Sequence, residues 1–392
     1  MRRLILFLCI IIINVTAWAN DGVYYVSGNQ LIPINETEIS VKKEVLSITR
    51  QREQQKIRVH VYYEFFNPGE EKTLLVGFEA MPPGGAWSTS EEELMNYTTH
   101  PNISDFTVNI NGQNLKYQVS HVEDKDHYYV NGKFKEIDPK HAVELAQESY
   151  FETIPYMFVY HFNATFKKGL NIVEHTYTFD ESGFVGSEYC FDYVLTAANR
   201  WANNQIDDFT LNLDLGNLCS FDVSENFFKG QGGWTINGIG RSNEADHYGN
   251  KLLRFHIQEG TVSYHKKNFH PEGELYVEQP FYINEDGDFY DYENSCKHII
   301  GFDFKKAYTS AIKVFYIDDD NIICDEISAD MKKIMRNLPF AYRGYVFKTK
   351  MLQDYFESTD WYVANPDYVS DMKDLNEDEK TWVEFWTRQQ KH

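Results

Sequence analysis

From residue 57 to 65 the chain alternates strictly, with Ile57, Val59, Val61, Tyr63 and Phe65 on one side and Arg58, His60 and Glu64 on the other. A period of two predicts a strand with one face in a core. Asn67-Pro68-Gly69 turns the chain, and residues 73–78 predict a more fully buried strand. Phe106, Val108 and Ile110 face Leu115, Tyr117 and Val119 across Asn111-Gly112, the signal of a type I′ hairpin. Asn131-Gly132 predicts a second hairpin.

One helix interrupts the strands, with Asp138 as cap, Pro139 in its first turn and Ala142, Val143, Leu145 and Ala146 inside. Strand patterns then return over 157–166, 172–179, 191–196 and 207–215, with Lys167-Lys168-Gly169 as a turn. Such short connections imply antiparallel pairing. Further strands are expected near Thr235 and over 252–258, 261–265 and 274–282. The acidic stretch 284–294 is the boundary candidate. The expected fold class is α+β: a large antiparallel β-sandwich over 20–285, in one lobe or two, connecting strands over 286–325, and a small, mainly helical domain over 326–392.

The pattern changes in that last part. Met331, Ile334, Met335, Leu338, Ala341, Tyr342 and Tyr345 recur at three- and four-residue steps, one apolar helical face. Ser328 can cap its start and Gly344 suits the left-handed residue past its end. Pro339 lacks an N–H and restricts Leu338, which predicts a kink or break there. Arg336-Asn337, Gly344-Tyr345-x-Phe347, Tyr355-Phe356 and Trp361-Tyr362 follow at a spacing that resembles the YARHG domain, an extracellular bacterial module whose family has no assigned activity. Where the family's name-giving motif has Arg-His-Gly, this chain has Tyr342-Arg343-Gly344, so no role of that histidine carries over. The frames Tyr62-Tyr63-Glu64-Phe65-Phe66-Asn67-Pro68 and Tyr193-Val194-Leu195-Thr196 with Trp201 resemble uncharacterised secreted bacterial β-domains. Neither resemblance implies an activity. The aromatic register has two readings, a core that holds a small domain together or a recognition surface.

Charge sharpens the second reading. Residues 331–350 carry Lys332, Lys333, Arg336, Arg343, Lys348 and Lys350 and no acid, whereas 351–392 carries ten acids against four bases. Pairing within the domain is one outcome, each exposed pair contributing about 0–1 kcal/mol. A site for an anionic ligand is the other, and its candidate residues are Lys332, Arg336, Tyr342, Arg343 and Trp361. The planar fork of Arg343 suits a carboxylate or phosphate.

Residues 1–19 read as a secretory leader: Arg2 and Arg3, an apolar run, then Ala17-Trp18-Ala19 before the cut. The run is shorter than the ~20 residues of a membrane span, and no later segment approaches one. Without Arg2 and Arg3 the basic count falls from 37 to 35 against 59 acids, a net charge of −24. Such acidity repels nucleic acid and anionic lipid. The expected location is secreted or periplasmic. Four cysteines remain in that oxidising setting, and similar short loops favour Cys190 with Cys219 and Cys296 with Cys324, each bridge contributing roughly 3 kcal/mol.

Sequence motifs of common hydrolases, zincins, phosphate loops and dinucleotide folds are absent. His141, Glu144 and Glu148 share a helical face, Asn284, Asp286 and Asp288 open like a calcium loop that lacks its glycine, and Asp318-Asp319-Asp320 is acidic; a solvated face or turn accounts for each. No cofactor or metal is expected. The composition and motifs point to a non-enzymatic binding or envelope-associated protein, with a cell-wall or envelope polymer as partner. The alternative is a hydrolase of an envelope glycan or peptidoglycan, whose two carboxylates need no fixed spacing in sequence. A shallow aromatic strip would favour binding; a cleft with facing carboxylates would favour hydrolysis.

Overall fold

The computed structural model describes residues 27–29, 31–34, 38–80, 98–122, 128–138, 156–184, 187–247, 249–280 and 328–390. The leader, the helix after Asp138, the loops at 284–288 and 318–320, the connecting segment and the Cys296–Cys324 pairing lie outside them.

The fold is α+β and mostly strand. The first strands are β1 Ser27–Asn29, β2 Leu31–Pro33, β3 Ser40–Gln51, β4 Lys56–Asn67, β5 Lys72–Ala80, β6 Ile103–Ile110, β7 Gln113–Asn114, β8 Gln118–Val122, β9 Tyr129–Val130 and β10 Lys133–Phe134. The rest are β11 Met157–Phe166, β12 Gly169–Asp180, β13 Ser182–Phe184, β14 Ser187–Val194, β15 Ile206–Asp214, β16 Cys219–Ser224, β17 Trp234–His247, β18 Asn250–Phe269 and β19 Leu275–Glu278. A 13-stranded sheet runs in the order β1-β14-β19-β16-β18-β15-β3-β4-β12-β6-β7, with β13 beside β14 and β17 beside β18, and a 4-stranded sheet runs β2-β5-β11-β8. The small sheet faces the β3-β4-β12-β6 part of the large one. Aromatic rings cross the gap, Phe78 to Tyr177 at 4.8 Å and Phe65 to Phe166 at 5.7 Å. One large apolar core joins strands of both sheets, and a smaller cluster of Val122, Tyr128, Met157 and Val159 lies on β8, β11 and the segment before β9.

The alternation in β4 is reproduced: Ile57, Val59, Val61, Tyr63 and Phe65 are each at most 1% exposed. Two connections differ from expectation. The turns at Asn67-Pro68-Gly69 and Lys167-Lys168-Gly169 each carry the chain between the two sheets instead of pairing the strands they join. Buried Asn67 ties these corners, its Nδ2 donating to Phe166 O at 3.1 Å and Glu70 O at 2.9 Å while Oδ1 accepts from Gly69 N. Buried Asn171 closes the other corner in the same way, bonding Lys167 and Gly169. Asn111 and Gly112 do adopt the paired positive φ of a type I′ turn, 50° and 83°. The ladder stops after Gln113–Asn114, although Leu115 N still reaches Val108 O at 2.9 Å and Tyr117 packs on Phe106; from Gln118 onward the chain leaves β6 and joins the small sheet as β8. The second hairpin forms as expected, with Tyr129–Val130 on Lys133–Phe134.

The two strands expected over 252–265 are one, β18, with β17 along its length. Gly238 and Gly260 cross so closely that a Cβ on either would meet the other strand's carbonyl oxygen at 2.1 Å. Only glycine fits there.

Cys190 and Cys219 are not bonded to each other. They sit on β14 and β16 with β19 between, and two strand spacings of about 4.8 Å exceed the ~7 Å reach of a disulfide. Burial pushes both thiols up to about 11, and Cys219 Sγ donates to Gly216 O at 2.9 Å.

After the strands come α1 Ala329–Tyr342, α2 Lys350–Glu357 and α3 Glu377–Gln389, packed around their own aromatic core.

Candidate functional site

The helical module explains its aromatic register from within. Ser328 caps α1 by accepting from Met331 N at 3.1 Å. The helix runs through Pro339 without the break that was one of the two expected outcomes. A proline at this position frees the carbonyl four residues earlier, and that carbonyl, Met335 O, is taken by Trp382 Nε1. At the other end Gly344 adopts φ 83°. Its N–H bonds Ala341 O at 2.8 Å while Tyr345 N reaches Phe340 O at 3.0 Å, the two bonds of a Schellman cap.

Arg343 is fully engaged inside the module. Its two terminal nitrogens meet the carboxylate of Glu379 at 2.9 and 2.7 Å, and they also reach Pro339 O and Asp374 O. Glu379 in turn completes a capping box with Asn376 at the start of α3. Both side chains are about nine-tenths buried. Tyr342 and Trp361 are also buried, at 4% and 1% exposure. Three of the five candidate residues are therefore interior. Lys332 and Arg336, four apart on α1, are half-buried; Arg336 donates to Gln390 Oε1 at 2.9 Å. Lys333 and Lys350 pair with Asp330 and Asp354. Among the described residues no carboxylate pairs with Lys332, Arg336 or Lys348.

The module is seated on β16, β17 and β18. Arg241 donates to Thr359 O at 3.1 Å, Asn243 to Asp360 O at 2.6 Å and Gln258 to Val363 O at 2.6 Å. Leu218 packs into the module's core from the β side. At the centre, Ser220 Oγ lies 2.8 Å from His256 Nδ1 and 3.4 Å from Tyr342 Oη. Ser220 and His256 make a nucleophile–base contact, but burial and then the guanidiniums of Arg254 and Arg241 hold the imidazole down at about 3. An imidazole so reluctant to take a proton is a poor general base near neutrality. The carboxylate next along, Asp222, is occupied by a bidentate bond from Arg254 at 2.7 and 2.6 Å.

The outer face of the large sheet is different in kind. Leu170 stands opposite Phe66, Ile172 opposite Glu64, Glu174 opposite Tyr62 and Thr176 opposite His60. Leu170, Phe66 and Ile172 are 55%, 39% and 39% exposed, a contiguous apolar patch at one end of the strands. Beyond it Tyr62 donates to Glu64 at 3.1 Å, His60 lies 3.6 Å from Glu174, and Thr107 and Thr176 share a hydrogen bond. From Phe66 to His60 the row spans roughly 20 Å. The small apolar cavity inside the sandwich, about 10 Å³, is near the minimum for one water.

Three comparisons place the chain among known proteins. Residues 305–391 match the YARHG domain. The match begins upstream of the helices described above, and residues 19–137 match a domain of unknown function, DUF4424. YARHG is an extracellular bacterial domain of unknown function. No curated protein matches the chain. Among solved structures, a "putative nutrient binding protein" from Legionella pneumophila is 16% identical over 94% of this chain and 99% of its own, with a TM-score of 0.46. Yeast LTA4 hydrolase is 7% identical over 63% of this chain and 29% of its own, with a TM-score of 0.27.

Within the YARHG domain, sequence reasoning missed α3. Trp382, Phe385 and Trp386 are each at most 3% exposed and fill the core behind α1. Their signal was present in the sequence: Trp382, Phe385 and Trp386 recur at three- and four-residue steps after the Asn376-x-x-Glu379 box. The exposed strip on β4 and β12 was also missed, because a strand's outward positions are expected to be polar and carry no further rule.

Proposed function

We propose that this is a secreted or periplasmic, non-enzymatic binding protein of the bacterial envelope, and that it holds an extended envelope polymer on the outer face of its large sheet. One observation carries this reading: Phe66, Leu170 and Ile172 stay exposed together on a sheet face where Tyr62, Glu64, Glu174 and His60 are their polar neighbours. Apolar and aromatic side chains next to carboxylates, hydroxyls and an imidazole suit a glycan, whose C–H faces pack on rings while its hydroxyls take hydrogen bonds. The open, shallow shape suits a chain rather than a small molecule, which prefers a concave pocket. On the YARHG domain, Lys332 and Arg336 form a second, smaller candidate site for anionic groups of the same polymer, since neither has a carboxylate partner among the described residues.

The test uses the mature protein on insoluble cell-wall glycan and on peptidoglycan fragments, with retained protein and released product both recorded. Retention that is lost in Leu170→Ser and Tyr62→Ala, with no soluble product, is the expected result. Equal retention of these variants overturns the sheet-face site. Release of sugar products favours the alternative, a hydrolase of envelope glycan or peptidoglycan.

A further inference from the structure

The seat of the helical domain contains a group that does not fit a purely structural contact. His256 is 2% exposed and its Nε2 has no hydrogen-bond partner. Its Nδ1 has one contact, Ser220 Oγ, which also touches Tyr342 from the helical domain. The cross-strand neighbour of His256 on β17 is Arg241, and on β16 it is Ser220. Along its own strand stands Arg254, whose charge is balanced by Asp222. The charged and titratable groups around the ring are thus Arg241 and Arg254 from the strands and Tyr342 from α1, with no acid left over to meet a second positive charge among the described residues.

Besides the apolar contact of Leu218 with the helical domain's core, the polar contacts at the rim of this junction have a common form. Arg241, Asn243 and Gln258 all offer side-chain donors to backbone carbonyls of one short stretch, residues 359–363. The side chains of that stretch, Trp361 and Tyr362, point into the helical domain's own core. The β body therefore grips the domain by its backbone. Such a grip joins the apolar contact at Leu218 to a few hydrogen bonds, each of modest net strength because water can replace it, and each side keeps its own core when it opens.

From this arrangement we infer that the junction is an acid-released latch: protonation of His256 ejects the helical domain from its seat on the β body. In the closed state the imidazolium would need an acceptor at each nitrogen. Only Ser220 is available, and two guanidiniums flank the ring. Opening gives the charged ring water on both sides. Burial, Arg254 and Arg241 hold the closed-state ring at about 3, against an ordinary value of 6.5. The closed form is therefore favoured fully above pH 6.5 and progressively less as pH falls below it.

The experiment follows the radius of gyration of the full chain by small-angle scattering as pH is lowered from 7 to 4, with far-ultraviolet circular dichroism recorded in parallel. The expected result is an expansion below about pH 5 while the β signal is unchanged. His256→Gln, which keeps a polar group but cannot charge, remains compact to pH 4. Asn243→Ala removes one rim bond without touching the ring and raises the opening midpoint by about half a pH unit. Wild type that stays compact to pH 4 overturns the latch, and so does a His256→Gln variant that opens at the wild-type pH. Should His256→Gln fail to fold, an Asn243→Ala midpoint equal to wild type has the same force.

Discussion

The indole nitrogen of Trp382 donates to the main-chain carbonyl of Met335 at 2.6 Å, across 47 residues of chain and inside a buried core. Pro339 is the reason that carbonyl is free. A proline inside a helix removes one backbone donor, which ordinarily costs about 3 kcal/mol; here a donor from another helix replaces it, and α1 continues to Tyr342. The domain therefore relies on one side-chain nitrogen to keep its first helix whole.

Trp382→Phe tests that reliance. The ring volume is largely kept and the N–H is lost, leaving Met335 O buried without its donor. A loss of about 1–3 kcal/mol is expected, read as a lower melting temperature of the helical domain. Pro339→Ala in the same background restores the backbone donor and should recover most of it. No recovery would show that the Trp382 contact is incidental to the proline.

Arg343 allows a sharper separation of stability from binding. Its fork and the carboxylate of Glu379 are both buried and bonded twice to each other. Arg343→Ala strands Glu379 as an unpaired buried charge, for which about 3–5 kcal/mol of destabilisation is expected. Retention on anionic wall material, measured below the variant's melting temperature, should match wild type, whereas Lys332→Ala with Arg336→Ala should weaken salt-sensitive retention at unchanged stability. A retention loss in Arg343→Ala below its melting temperature would return that residue to the binding surface.

Much of this fold was legible in the chain. The alternation of β4 needed only local physics, because each apolar residue faces the same core whatever its partner strand. The corners at Asn67 and Lys167 were not legible as crossings between sheets, since a short turn looks alike whether its strands pair or fold over each other. The buried Asn67 and Asn171, whose side chains satisfy both corners, carry that information only once the sheets are known. Cys190 and Cys219 misled for a related reason: loop length says nothing about β19, which arrives 56 residues after Cys219 and lies between them. Pro339 misled because its compensation, Trp382, is distant in sequence. Of the five candidate site residues, Tyr342, Arg343 and Trp361 proved interior, and the domain's packing accounts for them.

His175 gives the β body a pH dependence of its own. The ring is wholly buried between Tyr63 and Tyr177, with centroids at 6.0 and 5.8 Å, and neither nitrogen has a hydrogen-bond partner. Burial first, and His60 second, lower it to about 3. The sign follows from which state takes the proton. Above pH 6.5 both folded and unfolded rings are neutral and the full stability is present. Below 6.5 the unfolded ring binds a proton that the folded ring refuses, so stability falls by about 1.4 kcal/mol per pH unit until the folded value near 3 is reached. Between pH 7 and pH 5 that amounts to about 2 kcal/mol from this residue. His175→Leu removes both the titration and two unsatisfied polar atoms, so it should be at least as stable as wild type at pH 7 and should lose about 2 kcal/mol less on going to pH 5, measured from urea midpoints at the two values. If the wild type and His175→Leu lose the same stability over that interval, the ring is reached by water in the folded protein. The small sheet then does not seal the core over His175 as the burial of Phe78, Phe106 and Tyr177 around it requires.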